Sequence, residues 1–299
     1  RSHAPAGQPD PGGAGPLTQT QAPHTQASGP GLSCAAPLGW ERAVNISGMQ
    51  QHLYILTGSS RGMGLAIAQQ LLTPGNRLLC ISRHANDALA LAAQQGPVPL
   101  TQWTHDLTDG QGASQRLRDW LQGLNPTDFA SVTLINNAGA IPRIGPLSQA
   151  DAHDLGQALR VGLEAPMQLC AAFLGATDHW GIPRKVLNIS SGLGRNAMAS
   201  QAGYCAAKAG MDHFTRCMAL DEALKPHGAK VCSLAPGVID TDMQVQLRGA
   251  ASDAFPDQAR FAQLKEKGLL SSAPQAAAQV LAYLARPDFG QNPVADVRD

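Results

Sequence analysis

The stretch LYILTGSSRGMG at residues 53–64 decides the fold of this 299-residue chain. An apolar run at 53–56 predicts a strand, which enters a helix at 65–72 through a turn that contains Gly58, Gly62 and Gly64. Glycines at this spacing let the backbone approach a pyrophosphate, while the N-terminus of the helix offers free N–H groups to the anion. The alternative is a glycine-rich turn without a ligand. Its position directly after the first strand favours a dinucleotide site.

The rest of the chain alternates between strands and helices. Short apolar runs predict five further strands at 78–81, 98–103, 132–135, 186–189 and 231–234. Helical patterns lie at 84–95, 115–124, 151–173, 206–224 and 276–284. The helix at 151–173 is expected to be one long element. Short buried strands joined by helices indicate an α/β fold with a parallel sheet that is covered on both faces.

Composition excludes several classes of function. Lys plus Arg number 22 and Asp plus Glu number 22, so the chain has no net charge with which to hold nucleic acid or an anionic membrane. No apolar run reaches the roughly 18 residues of a membrane span. The six cysteines form no C-x-x-C pair and the nine histidines no H-E-x-x-H spacing. We therefore expect a cytoplasmic protein with reduced, mostly buried thiols and no metal site.

Residues 1–48 differ in composition from the rest of the chain. They are rich in Pro, Gly, Ala and Gln, so they cannot bury enough apolar surface to offset the entropy of ordering. We expect Met49 to be the natural start, and 1–48 to be upstream sequence or sequence added for expression. A genuine disordered leader is the alternative. In both cases the folded domain is expected to span 49–299.

The end of the second predicted strand indicates which dinucleotide binds. An acidic residue there would bond the adenosine ribose and indicate NAD, but this strand ends in Ser82-Arg83. The guanidinium of Arg83 suits a 2′-phosphate, and Arg61 in the glycine turn offers a second positive charge. Each arginine taken alone is equally an ordinary surface residue. Together, and without the acid, they favour NADP(H).

Tyr204 and Lys208 are candidate catalytic residues, since a spacing of four places both on one face of a helix. The ammonium is expected to lower the pKa of Tyr204 from about 10, so that the phenol exchanges a proton with a carbonyl or alcohol. Ser191 follows the fifth strand, where its hydroxyl can hold the substrate oxygen. Y-x-x-x-K also arises by chance and a serine after a strand is commonly a cap. Neither Tyr54 nor Tyr283, however, has a lysine four residues later.

Five ordered motifs resemble the short-chain dehydrogenase/reductase family over essentially all of 49–299. They are Thr57–Gly64, Asp106-Leu107, Asn136–Gly139, Ser191 with Tyr204 and Lys208, and Ala235-Pro236-Gly237 with Thr241. The resemblance implies a single doubly wound Rossmann domain, with a parallel seven-stranded sheet flanked by helices, and catalysis by the Ser, Tyr and Lys. The expected cofactor contacts are Gly58, Ser60, Arg61, Gly62, Met63, Gly64, Arg83, Asp106, Leu107, Asn137, Ala138, Gly139, Tyr204, Lys208, Pro236, Gly237, Val238 and Thr241.

Within the family, the chain resembles a group that contains benzil reductase and sepiapterin reductase. The residues that carry this resemblance are 204–208, 235–244 and 264–270. Both enzymes reduce one carbonyl of a vicinal dicarbonyl with NADPH. The resemblance therefore implies an NADPH-dependent carbonyl reductase for a vicinal dicarbonyl or a related aromatic or apolar ketone. Reduction of a pterin side-chain carbonyl is the alternative, because Asp296 lies near the position of the Asp that anchors the pterin in sepiapterin reductase.

The segment from Pro236 to about Leu270 is expected to form a mobile lid over the substrate. Its apolar side chains suggest an apolar or aromatic substrate, and the alternative is that half of them face the domain core. These side chains are Met243, Val245, Leu247, Phe255, Phe261 and Leu264.

One residue departs from the family pattern. The helix at 151–173 has Gly162 where the family usually has an Asn that helps to hold a water beside the lysine. The glycine leaves either a water-filled gap with the proton relay intact or a slower proton supply. It also motivates another alternative, a non-catalytic NADP(H)-binding sensor or scaffold, although such a protein would be expected to lose Tyr204 or Lys208 first. Finally, the resemblance suggests a homodimer or homotetramer formed through the long helices.

Overall fold

Seven parallel strands form one sheet in the part of the chain that the structure, a computed structural model, describes, which is residues 50–299. The predicted leader at 1–48, and Met49 with it, lie outside the described residues. The strands are β1 Gln51–Thr57, β2 Asn76–Ser82, β3 Leu100–Thr104, β4 Phe129–Asn136, β5 Arg184–Ile189, β6 Lys230–Ala235 and β7 Val294–Asp296. The parallel seven-stranded sheet expected from the sequence is thus confirmed.

The order of the strands creates a crevice at one edge of the sheet. The strands lie in the order β3-β2-β1-β4-β5-β6-β7, so the chain runs outward from β1 and then returns to build the other half. The loops that follow β1 and β4 therefore diverge at the carboxyl edge. Open α/β sheets bind ligands at this switch point.

Helices cover both faces of the sheet, as the alternating pattern predicts. They are α1 Gly62–Leu71, α2 Asp87–Gln95, α3 Gly110–Gln122, α4 Ala152–Leu159, α5 Ala165–Thr177, α6 Ala202–Ala223, α7 Asp242–Arg248, α8 Gln258–Glu266 and α9 Ala273–Ala285. One core contains Ile67 of α1 and Val280 of α9, and the other contains Leu117 of α3 and Phe173 of α5. The sheet lies between these two apolar layers, because its strands are apolar on both faces.

The predicted single helix at 151–173 is interrupted. Helix α4 passes into a π-helical segment, Arg160–Glu164, before α5 begins, and the N–H of Ala165 donates to the carbonyl of Arg160. Gly162 is buried within this segment, and a Cβ placed on it would lie 3.2 Å from the Cβ of Ala207 on α6. The prediction of one regular helix is therefore wrong over these five residues. Apolar periodicity does not reveal the interruption, because apolar residues continue along the sequence on both sides of it.

Three short elements carry no clear signal in the sequence. Helices α7 and α8 lie in the segment that was expected to be a lid, and their sequences contain many polar residues. Strand β7 has only three residues, which are too few to show a period. It completes the sheet beside β6.

The described residues contain five cysteines, none of which forms a disulfide. Cys80, Cys170 and Cys232 are buried, Cys205 is partly buried and Cys217 is exposed. Within 50–299, no group of three or more His, Cys, Asp or Glu side chains is arranged to hold a metal ion. None of the helices that the structure describes is both long enough and apolar enough to cross a membrane.

Candidate active site

The glycine turn after β1 forms a cradle that no larger residue could line. Gly58 and Gly62 have φ values of +71° and +57°, in the left-handed region that favours glycine. A Cβ on Gly64 would lie 2.1 Å from the carbonyl oxygen of Gly58, and a Cβ on Gly58 would lie 2.9 Å from the Cα of Ala138. The N-cap residue Arg61 makes no side-chain capping hydrogen bond, so the first amides of α1 are left for an anion, which fits a pyrophosphate.

The loop after β4 is tied directly to this cradle. The hydroxyl of Thr57 accepts from the N–H groups of Asn137 and Ala138, each at 3.0 Å. The amide of Asn137 donates in turn to the carbonyls of Thr57 and Gly58 at 3.0 and 3.2 Å. Gly139, the next residue of the expected motif, leaves room beside Lys208, because its Cβ would lie 3.8 Å from Nζ. The two loops at the switch point are therefore one hydrogen-bonded unit.

Asn86 is a supporting residue that the sequence analysis missed. Its carbonyl oxygen caps α2 by accepting from the N–H of Leu89, and its amide donates to the carbonyl of Ser60 at 3.1 Å. Gln102 on β3 holds the backbone of Asn86 through two further hydrogen bonds. An Asn before a helical run is an ordinary capping signal, but the contact with Ser60 depends on the tertiary fold.

Two expected adenosine contacts lie near each other at the outer side of the crevice. Arg83 is exposed just after β2, and Asp106 follows β3. A backbone hydrogen bond from Thr108 lowers the pKa of Asp106, and the charge of Arg83 contributes to the same shift. Leu107 is buried beneath them. No carboxylate ends β2, as the sequence indicated.

Arg61 does not stand alone as the second positive charge that the sequence analysis expected. Its guanidinium pairs with the carboxylate of Asp242 at 2.7 Å, and both side chains are 68% exposed. Asp242 is the first residue of α7, so the pair connects the glycine turn to the expected lid. Thr241 lies alongside, since a Cβ on Gly62 would be 3.9 Å from its methyl group.

Pro236, Gly237 and Val238 follow β6 at the same edge, as the resemblance implied. Gly237 has a φ of +81°, so this turn also needs a glycine. The carbonyl of Val238 accepts from Ser271, and an isolated bridge joins Ile239 to that residue. Met63 and Gly64, two further expected cofactor contacts, are buried at the start of α1.

The hydroxyl of Ser191 accepts from the N–H of Leu193 at 3.2 Å, and the Ser191 side chain lies close enough to Tyr204 to act on the phenol. Burial raises the pKa of Tyr204 to about 12, and the side chain of Ser191 opposes this rise. The Nζ of Lys208 lies 5.7 Å from the centre of the phenol ring. The pKa of Tyr204 is therefore raised and not lowered from about 10 as the sequence analysis expected, because desolvation of the phenolate is the largest influence on it.

Lys208 is buried one helical turn after Tyr204. Its Nζ donates to the carbonyl of Ile189 at 2.7 Å, at the end of β5. Burial lowers the pKa of Lys208 to about 8, and the negative charge of Asp212 opposes this shift. The three expected catalytic side chains are thus brought together from β5 and α6, at the carboxyl edge of the sheet.

Gly162 brings no polar group to this region. It packs against Ala207, the residue before Lys208, where the family's usual Asn would carry an amide.

The family assignment rests on comparison with known proteins. The family model described as short chain dehydrogenase matches residues 52–251. The chain belongs to the short-chain dehydrogenase family. It is an oxidoreductase of that family, and the resemblance noted from its motifs is confirmed.

Two groups of relatives match this short-chain dehydrogenase over most of its length. The benzil reductase ((S)-benzoin forming) of Bacillus cereus is 35% identical over 240 residues, which are 80% of this chain and 96% of that protein. The sepiapterin reductase of Meriones unguiculatus is 32% identical over 257 residues, 82% of this chain and 95% of that protein.

A solved short-chain dehydrogenase/reductase from Burkholderia vietnamiensis is 31% identical, with a TM-score of 0.55 over 84% of this chain and 99% of the other. A 3-oxoacyl-[acyl-carrier protein] reductase from Brucella melitensis, solved in complex with NAD, has the same fold with a TM-score of 0.69 at 22% identity, over 84% of this chain and 96% of the other.

The expected lid of this short-chain dehydrogenase contains its own small apolar core. Leu247, Phe255 and Phe261 are buried against one another, so these three do not line a substrate surface. Val245 is exposed. The partly buried side chains around the small core are Ile141, Ile144, Met198, Met243, Ala250 and Leu264, which come from the loops after β4 and β5 as well as from the lid.

Polar contacts fix the lid at two further points. Asp240 forms ion pairs with Arg248 of α7 and Lys265 of α8. Ser200 has a φ of +63° and donates its hydroxyl to the carbonyl of Ala254 at 2.6 Å. Ser200 lies only four residues before Tyr204, so the same loop that leads to the tyrosine also holds the lid.

Proposed function

We propose that this chain is an NADPH-dependent carbonyl reductase that acts on a vicinal dicarbonyl or a related aromatic or apolar ketone. The observation that carries the proposal is the buried amine of Lys208, which lies 5.7 Å from the centre of the Tyr204 ring and donates to the carbonyl of Ile189 at the end of β5, the strand that leads to Ser191. The benzil reductases from two Bacillus species support the substrate class, since benzil is a vicinal diketone. The partly buried apolar side chains under the lid, such as Ile141 and Met198, support an apolar substrate.

The cradle fits the dinucleotide that the proposal requires. Gly58 and Gly64 let the turn after β1 pack tightly against Ala138 and against itself, which supports a close approach of its backbone to a pyrophosphate, and Gly139 lies next to Lys208, where the nicotinamide ribose would bind. NADPH supplies a hydride when it is bound. Arg83 and the absence of a carboxylate at the end of β2 support NADPH over NADH.

The protonation states of the side chains suit reduction. With a pKa of about 12, Tyr204 keeps its proton at neutral pH and can donate it to the carbonyl oxygen. Ser191 holds that oxygen beside the phenol. With a pKa of about 8, Lys208 is mostly an ammonium at pH 7, and it stabilises the phenolate that proton donation leaves.

The experiment is an NADPH-oxidation assay of the purified protein with benzil, isatin and sepiapterin. We expect turnover of at least one aromatic dicarbonyl. Tyr204→Phe should abolish it and leave NADPH binding intact. Tyr283→Phe is the matched control, because Tyr283 is also buried but packs against Phe289 in the core. Turnover that survives Tyr204→Phe, or wild-type protein that oxidises NADPH with none of the substrates, would overturn the proposal.

The two alternatives are separated by the same assay. A pterin reductase would prefer sepiapterin, but the carboxylate of Asp296 accepts from Nε and NH2 of Arg298 at 2.6 Å each, so it is already paired. A sensor or scaffold would bind NADPH without turnover.

The proposed domain spans 49–299, and we propose a homodimer or homotetramer through the long helices. Large exposed apolar side chains on these helices support the assembly, namely Met167 on α5, Leu220 on α6 and Leu224 just beyond its end. Light scattering of the purified protein tests it, and a monomer at micromolar concentration would contradict it.

A further inference from the structure

A buried carboxylate lies directly behind the catalytic side chains. Asp212 is on α6, one turn after Lys208, and is only 1% exposed. Its Oδ1 accepts from the hydroxyls of Ser190 and Ser233, each at 2.6 Å, and its Oδ2 accepts from Nε of Arg195 at 3.2 Å. Three donors, one of them a guanidinium, thus satisfy the oxygens of this buried carboxylate. The proposed mechanism does not use this group.

The partners of Asp212 enclose the turn that carries Ser191. Ser190 precedes Ser191, and Arg195 follows the short 3₁₀ turn at Gly192–Gly194. The carboxylate also packs against the middle of this stretch, because a Cβ on Gly194 would lie 2.7 Å from Oδ2. One carboxylate therefore holds both ends of a six-residue segment in which Ser191 is the second residue.

The far side of Arg195 is also fixed. Its NH2 group donates to the carbonyl of Ala295 in β7 at 2.8 Å. The side chain thus cannot follow a moving loop without breaking contacts with the last strand of the sheet. This anchoring makes Asp212 and Arg195 a rigid support rather than a surface pair.

Asp212 is the charged group that acts on Lys208 from the same helix. Other charged or titratable side chains occur on the elements that pack against this part of α6. They are Arg195 after β5, Cys232 on β6, Asp296 on β7, Cys170 on α5, His153 and Asp154 on α4, and Arg160 and Glu164 on the π-helical segment. Arg195 and Asp296 lie on the Asp212 side, and burial raises the pKa of the thiols Cys170 and Cys232 to about 12, so both stay neutral.

We propose that Asp212 is a positioning residue of the reductase. It holds the Ser190–Arg195 turn, so that the side chain of Ser191 stays next to Tyr204, and its negative charge balances the positive charge of Lys208. The inference rests on the proposed function, because it assigns the support of that same site.

The first test uses two serines that donate to the same oxygen at the same distance. Ser190 and Ser233 both bond Oδ1 of Asp212 and both are buried, but only Ser190 adjoins Ser191. We expect Ser190→Ala to lower kcat at least about fivefold more than Ser233→Ala, while their melting temperatures fall by similar amounts. Equal effects on kcat would overturn the positioning role.

The second test changes the carboxylate itself. Asp212→Asn should lower kcat at least about tenfold and move the alkaline limb of the kcat–pH profile to lower pH, because Lys208 then loses its proton more easily. Glu222→Gln is the matched control, since Glu222 is another buried carboxylate on α6 that bonds Ala229 and Arg184 away from the site. The Glu222→Gln protein should be less stable than wild type, but its kcat–pH profile should not shift. An Asp212→Asn protein with a wild-type profile would overturn the charge role.

A third measurement does not depend on turnover. The free energy of unfolding is compared between Lys208 and Lys208→Met chains across pH, with and without Asp212→Asn. The lysine-dependent rise in stability should begin at lower pH when residue 212 is uncharged. A failed proposed function would show as no wild-type turnover with this shift present, whereas an unmoved onset would refute the inference itself.

Discussion

Arg61 and Asp242 are 181 residues apart in the sequence and form an ion pair of 2.7 Å that connects the glycine turn to helix α7. An exposed pair of this kind contributes only about 0–1 kcal/mol to stability. The pair matters for our proposal that the guanidinium of Arg61 binds a 2′-phosphate, because Asp242 would compete with the phosphate for that guanidinium.

Asp242→Asn is therefore expected to tighten NADPH binding by up to about fivefold, equivalent to ~1 kcal/mol, and to change NADH binding less. Titration of both nucleotides by protein fluorescence measures the effect. In an Arg61→Ala background the same substitution should no longer alter the NADPH-to-NADH ratio. A ratio that still responds there would mean that Asp242 acts independently of Arg61.

Arg83 is expected to carry most of the nucleotide preference. NADPH should bind at least tenfold more tightly than NADH, a difference of ~1.4 kcal/mol in binding free energy. Arg83→Ala should reduce the affinity for NADPH and leave the affinity for NADH unchanged. Arg118→Ala, at an exposed position on α3, is the control. Equal dissociation constants for the two nucleotides in the wild-type protein would contradict the prediction.

Lys208 should make stability depend on pH in a definite direction. Its pKa is about 8 in the folded chain, below the ordinary lysine value of 10.5, so between these pH values the native state releases its proton first. The unfolded state then binds more protons, and the free energy of unfolding rises with pH, by up to about 3 kcal/mol in total.

In urea unfolding at pH 7 and pH 9, the wild type should gain stability relative to Lys208→Met. Above pH 9 the raised pKa values of the buried thiols Cys80, Cys170 and Cys232 lower the stability of every chain, so the comparison stops there. Lys230→Met, at an exposed lysine on β6, is the control. If the free energy of unfolding changed equally with pH in all three proteins, the prediction that burial lowers the pKa of Lys208 would be wrong.

Gly162 is tightly packed, which a polar substitution should reveal. Gly162→Asn places a Cβ 3.2 Å from that of Ala207, and overpacking typically costs about 1–3 kcal/mol. Ala207→Gly alone should cost about 1 kcal/mol from helix propensity. Combined with Gly162→Asn it should recover part of the loss, so urea unfolding of the double variant should be non-additive. Strict additivity would show that Ala207 is not the obstacle.

The segment 1–48 is expected to be dispensable. A chain that starts at Met49 should match the full chain in melting temperature and in the rate of NADPH oxidation. A substantial loss in either quantity would assign the segment a contact with the domain.

The apolar runs of the sequence locate β1 to β6 because these strands are buried on both faces and leave a continuous signal. The glycine turn can also be predicted from the sequence. Gly58 and Gly62 have left-handed backbone conformations, and a side chain on Gly64 would collide with the carbonyl oxygen of Gly58. Helix α7 and strand β7 cannot be predicted from the sequence, because α7 contains many polar residues and β7 has only three residues.

Long-range pairing and burial explain what the sequence could not provide at the site. The partner of Arg61 lies in a segment far along the chain, and the partners of Asp212 come from β6 and from two positions around Ser191. The direction of the pKa shift of Tyr204 depends on how completely the phenol is desolvated, which the four-residue spacing to Lys208 does not determine.

Ser200 has a further consequence for how this protein can be altered. A serine held in left-handed backbone costs of the order of 1 kcal/mol or more, and here its hydroxyl is fastened to Ala254. Any exchange of the segment around Ala254 for one of different length would release that hydroxyl and let the residues leading to Tyr204 relax. The proposed lid and the proposed proton donor Tyr204 are therefore connected through one hydrogen bond, and a corresponding segment transplanted from a relative must bring a carbonyl acceptor at the same place, or a glycine must replace Ser200.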